Sequence, residues 1–147
     1  MEGLILKMKR LHSDAITPTY ATSGSACFDL YSTESVTLSP SFPRGVVGTG
    51  WAFEIPEGWC LKIYSRSGHG FNHNVRLSNC VGVIDSDYRG EVKVKLICDT
   101  GSALVMFKKG ERVAQAMLER VEQVGFEEVG ELGESVRGIG GFGSSGV

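Results

Sequence analysis

Short runs with a period of two decide most of what this chain can fold into. Trp51, Phe53 and Ile55 alternate with Ala52 and Glu54. Trp59, Leu61 and Ile63 alternate with Cys60, Lys62 and Tyr64, and Val92, Val94 and Leu96 with Lys93 and Lys95. Successive side chains of a strand point to opposite faces, so such runs read as strands with one face buried. Turn-forming groups separate them: Pro56-Glu57-Gly58, Asp99-Thr100-Gly101-Ser102 and Lys108-Lys109-Gly110. Leu4, Leu6 and Met8 predict a first strand, Ala26 to Tyr31 a short one with a carboxylate inside it, and Val124 to Val129 a last one. Ala15 to Ser25 reads as loop, Ser39 to Gly50 as a turn-rich connection, and Ser65 to Asn74 as a Gly- and His-rich break. Arg112 to Val121 fits a helix or a strand by pattern, and its Ala, Gln, Met, Leu and Glu favour helix. Short strands at near-regular spacing predict an all-β sandwich or barrel.

A chain of 147 residues suits one domain with a core of its own. Its 20 glycines against 4 prolines fit many tight turns. The net charge of −2 provides no overall basic field, so nucleic acid is not an expected partner and any polyanion must be met by local Arg and Lys. Cys27, Cys60, Cys80 and Cys98 form no Cys-x-x-Cys pair and lack zinc spacing. They are expected to be small buried residues in a reducing compartment. Leu4 to Leu6 is too short for a signal-peptide core, and no apolar run approaches the length of a membrane span. A soluble cytoplasmic protein with no membrane partner is the expectation.

Five stretches carry chemistry. In the first, Val81 to Ile84 reads as the end of a buried strand, followed by Asp85, Ser86, Asp87, Tyr88, Arg89 and Gly90, with Glu91 leading into the next strand. That describes a hairpin with two carboxylates, a phenol and a guanidinium at its tip, and a fixed carboxylate there can hold and activate a water. The second is Asp29, between Phe28 and Leu30, which alternation alone would aim at solvent. The third is Tyr64-Ser65-Arg66-Ser67-Gly68, where a planar guanidinium, a hydroxyl and a close-approaching backbone suit phosphate. In Gly110-Glu111-Arg112-Val113-Ala114-Gln115, Arg112 and Gln115 can both reach an anion. The last, Arg137-Gly138-Ile139-Gly140-Gly141-Phe142-Gly143-Ser144-Ser145-Gly146, has amides and hydroxyls able to cradle phosphate and a ring able to stack on a base. No Gly-Lys-Ser/Thr follows, which excludes a P-loop. Taken singly, each of these is an ordinary polar turn or strand edge, and the last is an ordinary Gly/Ser tail. His69 and His73 stand four apart, a spacing that binds metal on a helix, but no third ligand is near in sequence, so a surface loop is expected there.

Together and in order, the five stretches resemble the five motifs of the trimeric dUTPases (deoxyuridine triphosphate pyrophosphatases). The resemblance runs through Ala26-Cys27-Phe28-Asp29-Leu30, Arg66-Ser67-Gly68, Asn79 through Glu91, Gly110 through Gln115, and Arg137 through Gly146. Ile16 to Thr22 resembles the family's N-terminal signature. It implies that Arg112 to Val121 is strand rather than helix. Two positions depart from the family pattern: Cys27 stands where Gly is usual, and Ser65 where Pro is usual, which implies a less rigid loop before Arg66.

The resemblance implies a jelly-roll-like β domain over residues 1–136 and a glycine-rich arm over 137–147 that closes over an active site. It implies a homotrimer whose sites lie between subunits, and hydrolysis of dUTP to dUMP and pyrophosphate with Mg²⁺. Asp85 would activate the water that attacks the α-phosphorus. Asn79 with Gly82, Val83 and Ile84 would read the uracil, and Tyr88 would exclude a 2′-hydroxyl. Arg66, Ser67, Gly68 and Gln115 would bind phosphates. Arg137, Gly143, Ser144 and Ser145 would bind the far end of the chain while Phe142 stacks over the base. Asp29 would touch the metal through a water, the ion being held mainly by substrate phosphates. Arg112 would meet phosphate or form an ion pair within the trimer. The alternatives are a non-catalytic, dUTP-gated regulatory protein of the same fold and, further off, a relative of dCTP deaminase.

Overall fold

Wherever an alternating run meets a partner edge, it forms a strand. The protein is seen here in a computed structural model that describes residues 4–100 and 104–146. Its strands are β1 (Lys7–Arg10), β2 (Thr19–Tyr20), β3 (Phe28–Tyr31), β4 (Val36–Leu38), β5 (Arg44–Gly48), β6 (Trp51–Glu54) and β7 (Trp59–Tyr64). A short helix α1 (Ser67–His73) follows, then β8 (Val75–Leu77), β9 (Val81–Ile84), β10 (Lys93–Cys98), β11 (Val105–Phe107) and β12 (Arg112–Arg120). The all-β expectation holds, with this single helix among the described residues. Every strand pairing is antiparallel. The largest sheet runs β2-β3-β12-β7-β9, the next β5-β10-β8, and two ribbons pair β1 with β6 and β4 with β11. Between them Leu30, Leu38, Val47, Leu61, Leu77, Leu96 and Val113 are fully buried. Burial of such side chains, each giving about 1.5–3 kcal/mol, is the main favourable term.

Arg112–Arg120 is strand along its whole length, at the centre of the large sheet between β3 and β7. Its helix-favouring residues yield to two long ladders, because tertiary pairing outweighs propensities of a few tenths of a kcal/mol per residue. Near its start the register slips, with Arg112 opposite Tyr31 and Ala114 opposite Leu30. Val113 is thus the extra residue of a bulge. Residues three apart on a regular strand face opposite ways. The bulge instead puts Arg112 and Gln115 on the same face as Asp29, because Gln115 lies opposite Asp29 and Arg112 opposite Tyr31.

Several expectations change. Strands β2, β4, β5, β8 and β11 form in stretches read as loop or connection or passed over, each too short or too Gly-rich for alternation to show. Ser67–His73 is helical although Gly68 and Gly70 each cost about 1 kcal/mol relative to Ala. Asn74 closes the helix in the left-handed conformation at φ 53°, with its N–H donating to the Gly70 carbonyl. Residues 124–129 form no strand, and Val124 and Phe126 are exposed. The strands flanking Asp85 do not form a hairpin with each other: β9 pairs with β7, while β10 pairs with β5 and β8. Nor is β9 a buried strand, since Val81 and Val83 are exposed. Of the cysteines, all free, Cys60 and Cys98 are buried, Cys27 is half-buried and Cys80 exposed. The expected turn at 99–102 lies partly outside the described residues. No helix among them is long and apolar enough to cross a membrane.

Candidate active site

One row of residues crosses the large sheet. Thr19 lies opposite Asp29, Asp29 opposite Gln115, Gln115 opposite Tyr64, and Tyr64 opposite Val81. Directly opposed residues share a face, so this row projects to one side. The neighbouring row, with Phe28, Ala116 and Ile63, projects to the core. The polar row carries the anion-seeking groups. Asp29 is buried, contrary to the solvent-facing expectation, because Arg66 and Arg112 cover it. Arg66 Nε donates to Asp29 Oδ1 at 3.0 Å, and Arg112 Nη1 donates to Oδ2 at 3.3 Å. Gln115 Nε2 donates to the Ser65 carbonyl at 2.9 Å. Ser65 is also tied through its hydroxyl, which accepts the Leu77 N–H at 2.9 Å. The loop before Arg66 is therefore pinned at two points without a proline. Ser67 and Gly68 open α1 beside it, both exposed. Asp29, Arg66, Ser67, Gly68, Arg112 and Gln115 make one polar cradle.

A second group gathers at β9. A cavity of about 350 Å³ is lined by Asn79, Gly82, Val83 and Ile84, with Lys93 to Lys95 across from them. It adjoins another of about 540 Å³ that shares Val83, Ile84 and Lys93 and adds Asp85, Tyr88 and Glu91. Asp85 begins a tight turn in which its carbonyl accepts the Tyr88 N–H at 3.2 Å. Tyr88 Oη donates to the Glu91 carbonyl at 3.1 Å, and a Cβ on Gly90 would collide with the Tyr88 ring. The phenol is thus held down across Gly90. Asn79 is held in its tight loop by its carbonyl, which accepts the Val81 N–H at 2.7 Å. The second cavity sets the Asp85 carboxylate beside the first.

Arg66 and Asp85 do not meet within one protomer, although Asn79 lies at the Arg66 end. Strands β7 and β9 are antiparallel, with Tyr64 opposite Val81 and Leu61 opposite Ile84. Arg66 lies beyond one end of this ladder and Asp85 beyond the other. Six residues of β7 separate their levels, roughly 20 Å at about 3.3 Å per residue.

The third group is the arm. Arg137, Phe142, Gly143, Ser144 and Ser145 are exposed, and the hydrogen bonds along 137–146 are local. Arg137 Nε donates to the Gly140 carbonyl at 2.9 Å, and Ser144 N–H to the Gly141 carbonyl at 3.0 Å. Phe142 sits at φ 52°, a conformation uncommon for a side chain of its kind.

Among the described residues no three His, Cys, Asp or Glu side chains gather to hold a metal. His69 and His73 do lie one turn apart on a helix, not a loop, but His69 packs its ring edge against Phe107 at 4.8 Å. What the sequence reading missed here is the Asp29–Arg112 pair, 83 positions apart. The only sequence signal of it is that both belong to motifs.

His69 lies beside the cradle, whose charges add to the effect of its burial. Burial, then the positive charges of Arg66 and His73, hold its imidazole below the usual histidine range, with Glu111 opposing and Arg112 adding to the effect. A histidine with a lowered folded pKa binds fewer protons folded than unfolded. Its contribution to stability is present above the ordinary value of 6.5 and is lost as pH falls through the window beneath it. The expected result is a melting temperature that falls as pH is taken below 6.5, with a shallower fall in His69→Gln, read from thermal melts over a pH series.

The family model described as dUTPase matches residues 13–146. The deoxyuridine 5'-triphosphate nucleotidohydrolase of Helicobacter hepaticus is 47% identical over 147 residues, covering 100% of this chain and 92% of that one. The enzyme of the same name from Nautilia profundicola is 48% identical, covering 96% and 98%. Among solved structures, the dUTPase of Staphylococcus bacteriophage 80alpha with dUPNHPP superposes with a TM-score of 0.85 at 27% identity, covering 97% of this chain and 99% of that one.

Proposed function

The chain belongs to the dUTPase family, and from that premise we propose how its residues hydrolyse dUTP to dUMP and pyrophosphate. Uracil enters the slot lined by Asn79, Gly82, Val83 and Ile84, whose backbone groups and amide read its polar edge. A thymine methyl would crowd the slot, and cytosine would present a donor to a donor; unpaired groups of this kind discriminate by factors of about 10⁴. Tyr88, held over Gly90, packs under the deoxyribose and leaves no room for a 2′-hydroxyl. Asp85 takes a proton from the water that attacks the α-phosphorus. Arg66, Ser67, Gly68 and Gln115 hold the phosphate chain and neutralise charge as it shifts to the leaving pyrophosphate, which is most of what phosphoryl transfer needs. A magnesium ion, carried by the phosphates and reached by Asp29 through water, would supply further neutralisation.

The observation that carries the arrangement is the distance of roughly 20 Å along the strand between the levels of Arg66 and Asp85. A single nucleotide meets both groups if the β9 slot of one subunit faces the cradle of the next. A homotrimer provides three such sites. The exposed Val124, Phe126, Leu132 and Val136 support assembly, since a monomer leaves these side chains in water. Residues 137–147 then act as an arm: it brings Arg137, Gly143, Ser144 and Ser145 to the phosphate end and lays Phe142 over the uracil, while residues 1–136 form the β domain. Val147 lies outside the described residues. A cytoplasmic setting suits four cysteines that are all free.

The test is pyrophosphate release with Mg²⁺ from dUTP, UTP, dTTP and dCTP. Turnover selective for dUTP is expected. Tight binding of dUTP without release would overturn the catalytic reading.

A further inference from the structure

Asp29 stands where three elements cross. It lies on β3, in the polar row opposite Gln115 of β12. Its side chain is 9% exposed, and each oxygen accepts from a different guanidinium, Arg66 from the end of β7 and Arg112 from the bulged start of β12. Those guanidiniums keep exposed surface, 23% and 47% of their side chains. Arg66 spends its Nε on Asp29, and its two Nη groups make no hydrogen bond among the described residues.

We propose that Asp29 is a positioning residue for the triphosphate: it holds Arg66 and Arg112 as a preset fork, and it does so independently of any metal ion. The proposal rests on the dUTP reading above. An arginine has much rotamer freedom to lose, and an acceptor that fixes it beforehand removes that loss from binding. A planar fork is also a better match to phosphate than a mobile charge. Without Asp29, two like charges converge on one buried point and separate toward water.

The sign of the effect distinguishes this role from simple charge. A carboxylate beside an anion site repels the anion, so charge alone predicts that Asp29→Asn tightens phosphate binding. Positioning predicts the opposite. The experiment is calorimetric titration of wild type, Asp29→Asn, Arg66→Ala and the double variant with a non-hydrolysable imido analogue of dUTP, in EDTA and again with Mg²⁺. Thermal melts confirm that each variant is folded. Without metal, Asp29→Asn is expected to weaken binding by about tenfold or more, and to weaken it less in the Arg66→Ala background, where only Arg112 is left to position, because groups that act through one another are not additive. Unchanged or tighter metal-free binding, with any loss confined to the magnesium titration, would overturn the proposal and leave Asp29 as a metal-directed group alone. Should Asp29→Asn fail to fold, Arg66→Lys is the readable variant: it keeps the charge but not the fork. A similar metal-free loss supports positioning, and wild-type affinity opposes it. Wild type that neither binds the analogue nor hydrolyses dUTP would defeat the functional reading itself, an outcome separate from any difference between variants.

Discussion

Asp85→Asn is expected to lower dUTP turnover by about 10³-fold while leaving the affinity for a non-hydrolysable dUTP analogue within about threefold, since a positioned general base contributes about 10²–10⁴ to rate. The structure gives the reason to expect so clean a separation. What ties the turn together is main chain: the Asp85 carbonyl accepts the Tyr88 N–H, and Tyr88 Oη is anchored on the Glu91 carbonyl. The Asp85 side chain itself is exposed. An amide of the same shape keeps the turn, the sugar platform and the adjoining slot, and removes only a proton acceptor. A loss of turnover with intact binding reports an interaction made in the transition state. Pyrophosphate release and calorimetry on the same preparation measure both. A variant that retains a tenth of wild-type turnover would move the base elsewhere.

Mixing two inactive proteins should restore activity. Asp85→Asn lacks the base and Arg66→Ala lacks a phosphate clamp, and within a protomer these residues lie at opposite ends of the β7–β9 ladder. If each site takes its β9 slot from one subunit and its cradle from the next, trimers re-formed from an equal mixture contain some sites with neither lesion. Random assembly makes about a quarter of all sites intact, because each contributing subunit is the right one half the time. The expected result is therefore recovery from near background to about a quarter of wild-type turnover after joint refolding, with none on mixing the assembled proteins briefly. A site complete within one chain would give no recovery at all. The assay thus reports shared sites without any interface having to be seen.

Strands that alternate and bury one full face, such as Trp59–Tyr64 and Lys93–Cys98, were legible from sequence because period two is a local property. Strand β5 was not, since Pro43 and Gly45 signal a turn. Yet Gly45 is needed there, because a Cβ at that position would collide with Val36 of β4. Helix α1 was hidden by its own glycines; it forms between β7 and β8, where the cradle and Asn74 hold its two ends. The supposed hairpin around Asp85 failed for a different reason. Two strands joined by a short turn need not pair, and here each finds a longer partner in a different sheet. At the site, residue types pointed to phosphate chemistry, and their order in the chain identified the motifs. Their distribution between the two ends of β7 was invisible, because it depends on register. So was the burial of Asp29, which alternation placed in solvent and two distant arginines cover.

The bulge at Val113 bears on which changes of chain length this protein tolerates. Deleting Val113 would give β12 an unbroken ladder against β3, a gain by the ordinary standards of sheet regularity. It would also leave Arg112 opposite Tyr31, two residues before Gln115 and still on the Asp29 face, whereas loss of Val113 and Ala114 together would make Arg112 the neighbour of Gln115 and turn it toward the core. A buried unpaired guanidinium is costly, so the chain shortened by two would lose fold and fork together, while the chain shortened by Val113 alone would keep both. Substitution at this position is a question of side-chain volume, whereas the number of residues left between Arg112 and Gln115 is a question of parity. Apart from that one bulged residue, length variation along β12 should therefore accumulate after Arg120, where the chain leaves the sheet, and not before Gln115.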